Sequence, residues 1–254
     1  MFEKFHTKKA ILVVAVIAVL FLSGCGLWTH ITHFFEKSDR TKGTAEQLYQ
    51  KGYDAYQDGW YKRAIEYFQK VRDQYPLSKL ALLAELGIAD SHFSDEDYGE
   101  AELAYNDFIN LHPTNENVPY AVYQIGMCHY KQMYSIDRDQ TEAQKARKEF
   151  ERLIARFPNS KFAMMAEKSL RDCKKNLAEQ EFYIGYFYFK KKQYKSALKR
   201  FETIAKDYAN LGLDYKVSYF IGETKKRLSQ QEAVKKDTGE PVVDPAYLPR
   251  QSVD

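Results

Sequence analysis

An alanine, an aromatic residue four positions on and a proline eight beyond that recur three times in this chain: Ala64, Phe68 and Pro76; Ala101, Tyr105 and Pro113; Ala146, Phe150 and Pro158. Ala197 and Phe201 open a fourth copy, with Ala209 where the proline would stand. Upstream of each copy, a second helical stretch carries a small residue near its middle, at Gly52, Ala89, Gly126 and Gly185. Self-similarity at such a period points to stacked units of two helices rather than one undivided core. The residue types fit that reading. A small residue lets crossing backbones approach, the aromatic ring fills the gap toward the next unit, and proline stops the second helix because it cannot continue one.

The spacing is that of the tetratricopeptide repeat, two antiparallel helices per unit. It predicts an all-α, tetratricopeptide-like (TPR-like) solenoid of about five helical hairpins, the last incomplete. Helix pairs are expected near 45–76, 82–113 and 119–158. The third is stretched, since Ala101 to Ala146 spans 45 positions against 37 from Ala64 to Ala101, and the surplus falls in a loop near 132–141. From Ser160 to about Lys191 no proline interrupts the pattern, which predicts one long helix, with 194–208 as its partner. A last helix is expected at 213–228, centred on Gly222. Repeats one to three thus occupy 45–158, repeats four and five 159–228, and 229–254 reads as a disordered tail. Each unit exposes apolar surface until a neighbour covers it, so the long helix and the polar last helix are expected to cap the array.

Residues 1–24 read as an address. Lys4, Lys8 and Lys9 precede an apolar run from Ala10 to Leu22, which falls short of the ~20 residues that span a bilayer but suits a secretory signal. Leu22-Ser23-Gly24-Cys25 resembles the lipobox of bacterial lipoproteins, in which cleavage precedes the cysteine and its thiol carries a diacylglycerol. Cys25 is therefore the expected lipidation site and 25–44 the lipidated cysteine and tether. Gly26, rather than an aspartate, suits sorting to the outer membrane, with the folded part on the periplasmic face. His30 and His33 in the tether lack further ligands at fixed distances and read as solvated. Cys128 and Cys173 fall on two predicted helices. An oxidising periplasm permits them to pair, but a repeat array needs no disulfide, so two buried thiols are expected.

The whole chain carries a net charge of +3; loss of Lys4, Lys8, Lys9 and Glu3 with the signal leaves +3 − 2 = +1. That balance argues against a nucleic-acid binder, which needs a concentrated basic face. No phosphate loop, nucleophile elbow or zinc-protease pair is present, so nothing supports catalysis, a cofactor or a metal. His92, His112 and His129 are scattered, and Asp95, Glu96 and Asp97 fall in a turn where solvated charge is expected. The 20 tyrosines are more informative. Counted along the first helix of each unit, Tyr49, Tyr53 and Tyr56, then Phe93, then Tyr120, Tyr123 and Tyr130 fall on the side away from the second helix, as do Leu86, Asp90, Met127, Phe182, Tyr186 and Phe189. Stiff rings with polar tips are good anchors for a protein partner, which predicts a groove for an extended, aromatic-containing peptide.

Ala64 to Pro76 (AIEYFQKVRDQYP), Asn110-Leu111-His112-Pro113, Asp137-Arg138-Asp139 and Arg156-Phe157-Pro158-Asn159-Ser160, behind a lipobox, resemble the BamD family of outer-membrane β-barrel assembly lipoproteins. The similarity covers roughly 45–228. It implies a non-enzymatic assembly factor whose first repeats bind unfolded β-barrel precursors and whose last repeats dock on BamA among other subunits of the complex. It further implies that Arg200 contacts an acidic residue of BamA. The weak second helix of the final repeat departs from the family pattern. The repeats alone also fit another periplasmic TPR lipoprotein, one coordinating cell-wall synthesis or division.

Overall fold

Thr44 starts the folded part. Its hydroxyl accepts from the Gln47 amide at 3.3 Å, and the Gln47 side chain accepts from the Thr44 amide at 3.1 Å, a reciprocal cap on two of the free N–H groups of a helix end. A computed structural model of the chain describes residues 43–238, and every regular element among them is an α-helix. The chain divides into two compact units, at Ala84 and Glu85. The first contains α1 (Ala45–Gln57), α2 (Tyr61–Gln74) and the start of α3 (Lys79–Ser94). Leu48 and Ala55 of α1 bury against Ala64, Phe68 and Val71 of α2. Gly59 turns the chain between the helices at φ +77°, a conformation only glycine adopts freely. Gly52 lies so close to the Phe68 ring that a Cβ there would sit 2.8 Å from it. Tyr75 then donates a 2.8 Å hydrogen bond to the Gly43 carbonyl, closing the hairpin.

The second unit holds the rest of α3 with α4 (Tyr98–Leu111), α5 (Val118–Lys131), α6 (Thr141–Arg156), α7 (Lys161–Lys190), α8 (Tyr194–Asp207) and α9 (Asp214–Thr238). From α4 onward successive helices pack against one another. The small-to-aromatic contact recurs at the same register. A Cβ on Gly126 would come within 2.5 Å of the Phe150 ring, and one on Gly185 within 2.8 Å of the Phe201 ring. Each ring therefore locks its own hairpin, where the sequence pattern suggested that it reaches toward the next unit. The physical reason is that glycine leaves a hole the size of an aromatic edge directly opposite it.

The long loop expected near 132–141 spans 132–140. Gln140 is buried and holds the loop by donating to the carbonyls of Ser135 (2.8 Å) and Arg138 (3.2 Å). Arg138 stacks over Tyr134 at 4.1 Å. From α7, Asn176 donates to the Tyr134 carbonyl and Gln180 to that of Arg138. The predicted long helix is α7, 30 residues started by Ser160, whose hydroxyl accepts from the Phe162 amide. The last helix runs further than expected. Residues 229–238, placed in the tail from sequence, continue α9, because Gln230 to Lys236 carries helix formers and no glycine or proline until Gly239 and Pro241. At the centre of α9, a Cβ added to Gly222 would meet nothing within 4 Å, and no helix among the described residues fills that seat. Cys25, the tether up to residue 42 with His30 and His33, and residues 239–254 lie outside the described residues.

Candidate protein-binding surfaces

Of the three tyrosines expected to line a groove in the first unit, Tyr53 is the most open, with 47% of its surface exposed. Tyr49 is half-buried against Phe68, ring centroids 5.4 Å apart, and Tyr56 against Tyr61 at 5.7 Å. A ring held on one side and open on the other has little rotamer entropy left to lose on binding, which suits an anchor.

In the second unit the expected residues split. Phe93 is half-buried edge-on to Tyr98. Tyr123 lies against Phe150 and Phe162, and Tyr130 against Phe150 with its hydroxyl 3.3 Å from Asp172. Tyr120 is committed inward. Its hydroxyl donates to Asp90 Oδ1 at 2.6 Å, the same oxygen that the buried Tyr105 hydroxyl reaches at 2.5 Å, while Gln124 donates to both phenol oxygens at 3.1 and 3.3 Å. Burial raises the Asp90 pKa; the hydrogen bonds from Tyr105, Tyr120 and Gln124 oppose it without cancelling it. The same burial, then the Asp90 charge, lifts both tyrosines above their ordinary range. Leu86, counted toward the groove, is buried in the core. The shift is one of helix rotation: neighbouring positions on one face straddle the boundary between packing and solvent.

His129 is buried between two acids, its Nδ1 2.7 Å from Glu142 and its Nε2 3.5 Å from Glu102. Burial raises the Glu142 pKa, but hydrogen bonds from Lys145 and His129 outweigh it and leave this carboxyl below its ordinary value. The arrangement ties α4, α5 and α6 together. Cys128 and Cys173 are free and buried, and burial pushes each thiol up to about 12.

Arg200 stands on α8 immediately before Phe201. Its Nη1 donates to both carboxylate oxygens of Glu181 at 2.9 Å, beside a hollow of about 280 Å³ lined also by Tyr188, Ser196, Lys199 and Thr203. The sequence reading missed Glu181. The signal was present: Glu181 lies one turn before Gly185, and Gly185 faces both Phe201 and the Arg200 Cβ. Sequence reading also missed Phe220. Its ring contacts Phe182, Tyr186, Phe189, Phe201 and Tyr219 at 5.3–5.6 Å between centroids.

Residues 41–239 match the family model YfiO, described as an outer membrane lipoprotein. The chain is 33% identical over 191 residues to the outer membrane protein assembly factor BamD of Rickettsia prowazekii, covering 75% of this chain and 76% of that one. To BamD of Caulobacter vibrioides it is 28% identical over 205 residues, 80% of this chain and 66% of the relative. Among solved structures, the TPR2AB-domain:pHSP90 complex of yeast Sti1 overlaps with a TM-score of 0.43 at 16% identity, covering 72% of this chain and 70% of that one. That superposition is partial, and the TPR-like fold is read from the hairpins themselves. With its helical repeats and a match spanning most of its length, the chain belongs to the YfiO family of outer membrane lipoproteins, the family of the BamD assembly factors.

Proposed function

We propose that this chain is an outer-membrane protein assembly factor, held to the membrane by lipid on Cys25, that binds unfolded β-barrel precursors and the BamA subunit without catalysing a reaction. The observation that carries the reading is its relation to BamD assembly factors across three quarters of its length. Tyr53, with Tyr49 and Tyr56, is the precursor-binding set of the first unit; Phe93, Tyr123 and Tyr130 supply half-buried rings in the second, where Tyr120 acts as a brace. Arg200 is the BamA contact. Its guanidinium holds Glu181 through Nη1, and its other N–H donors suit a partner's carboxylate that adds to or replaces Glu181, a planar fork that lysine cannot form. The alternative, a cell-wall or division lipoprotein, predicts different neighbours.

Photocrosslinkers at Tyr53 and Arg200 in intact membranes separate the two. Barrel precursors at the first position and BamA at the second are expected; peptidoglycan enzymes at both would overturn the assignment. A charge exchange, Arg200→Glu with Glu181→Arg, restores the internal pair. It should therefore keep thermal stability while losing BamA binding. Retained binding would mean that Arg200 serves only its own helix pair.

A further inference from the structure

The α7–α9 face of the second unit combines exposed rings with cations that no described carboxylate neutralises. On α7, Tyr183, Tyr186, Phe187 and Lys190 fall at successive helical turns on one strip, and Tyr183 and Phe187 are 52% and 54% exposed. On α9, Tyr219 is 59% exposed and packs edge-on against Phe220. Lys216 crosses from α9 to lie 4.0 Å over the Phe182 ring, and Lys190 lies over Tyr186 at 5.8 Å. The neighbouring acids are occupied. Glu179 pairs with Lys175, Glu181 with Arg200, Glu223 with Arg227, and Asp214 accepts from the Asn210 amide. Among the described residues Lys190 and Lys216 have only rings beneath them.

We infer that this face is a docking surface for an extended acidic segment of a partner protein, one whose carboxylates alternate with aromatic or other apolar side chains. The rings offer apolar floor, and each ammonium lies over a ring face, placed to meet a carboxylate beside a buried side chain. Phe220 braces the floor from beneath, so the surface is formed before anything binds and little ordering is needed. An exposed aromatic patch of this kind marks an interaction surface. A lipid surface suits it less well, because Lys191 lies over the exposed Phe187 ring at 5.8 Å and its ammonium would have to leave water for that ring to enter the acyl layer. The surface is separate from Arg200 and its hollow, which involve α8.

The test uses the full chain in detergent and a fluorescein-labelled peptide of about twelve residues alternating Asp and Phe, the length of an extended recognition segment. Its counterpart carries Asn for every Asp. By fluorescence anisotropy the Asp peptide should bind at least about tenfold more tightly than the Asn peptide, and the advantage should shrink as salt is raised toward ~150 mM. Lys190→Glu with Lys216→Glu should cost about tenfold or more in affinity for the Asp peptide while far-UV circular dichroism stays unchanged. Tyr183→Ser, on an exposed ring, gives an independent reading should the double variant fold poorly, and should also weaken binding. Equal affinity for the two peptides, or undiminished binding by both the lysine and the Tyr183 variants, would overturn the inference. So would failure to bind either peptide together with lysine-dependent sedimentation on phosphatidylglycerol vesicles, which would assign the face to lipid.

Discussion

Gly126 and Gly222 hold equivalent places in their helices and meet opposite surroundings. At Gly126 an added methyl group enters the Phe150 ring, and no rigid core accommodates that without moving backbone or ring. Gly126→Ala should destabilise the second unit by about 1–3 kcal/mol, read by urea denaturation. At Gly222 the same change meets open space in an exposed helix and should stabilise by roughly 0.5–1 kcal/mol. Equal effects at the two sites would contradict the packing described. Asp90 supplies a second prediction. Its folded pKa is raised above the unfolded value, so its contribution to stability is fully present below the unfolded pKa and is lost as pH rises through the folded one. Asp90→Asn removes that dependence, so the variant should gain on the parent as pH climbs from about 4 toward neutrality. A stability difference flat across that window would show that Asp90 does not titrate there. Neither environment is written in periodicity. Ala89 marks the helix crossing, but that the next residue is an acid shared by two tyrosines depends on the rotation of three helices, which spacing fixes only to within a position.

Helix limits are legible wherever local chemistry sets them. Ser160 starts α7 with a side-chain cap, and Ser160→Ala should cost about 1 kcal/mol by thermal denaturation, with Ser160→Asp close to neutral. If both substitutions were silent, the cap would be ornamental. The prolines at 76, 113 and 158 mark the ends of α2, α4 and α6 because a ring nitrogen cannot donate to a preceding turn. The end of α9 lies beyond its expected place for the converse reason. Residues 229–238 lack the apolar periodicity that announces a packed helix, yet helix propensity alone carries them on. Groove residues are partly legible for a related reason. Tyr53 and Tyr120 both sit at the expected helical spacing, but a hydroxyl that finds Asp90 turns one of them into a brace.

For the molecule as a whole, the repeats and the match over residues 41–239 carry the family assignment, whereas the pairing of Arg200 with Glu181 and the Phe220 hub come only from three-dimensional proximity. Glycine-to-ring contacts at Gly52 with Phe68, Gly126 with Phe150 and Gly185 with Phe201 each close within a single hairpin. Damage to one clasp should therefore stay local: a variant that has lost the Phe68 ring keeps the rings that Gly126 and Gly185 meet.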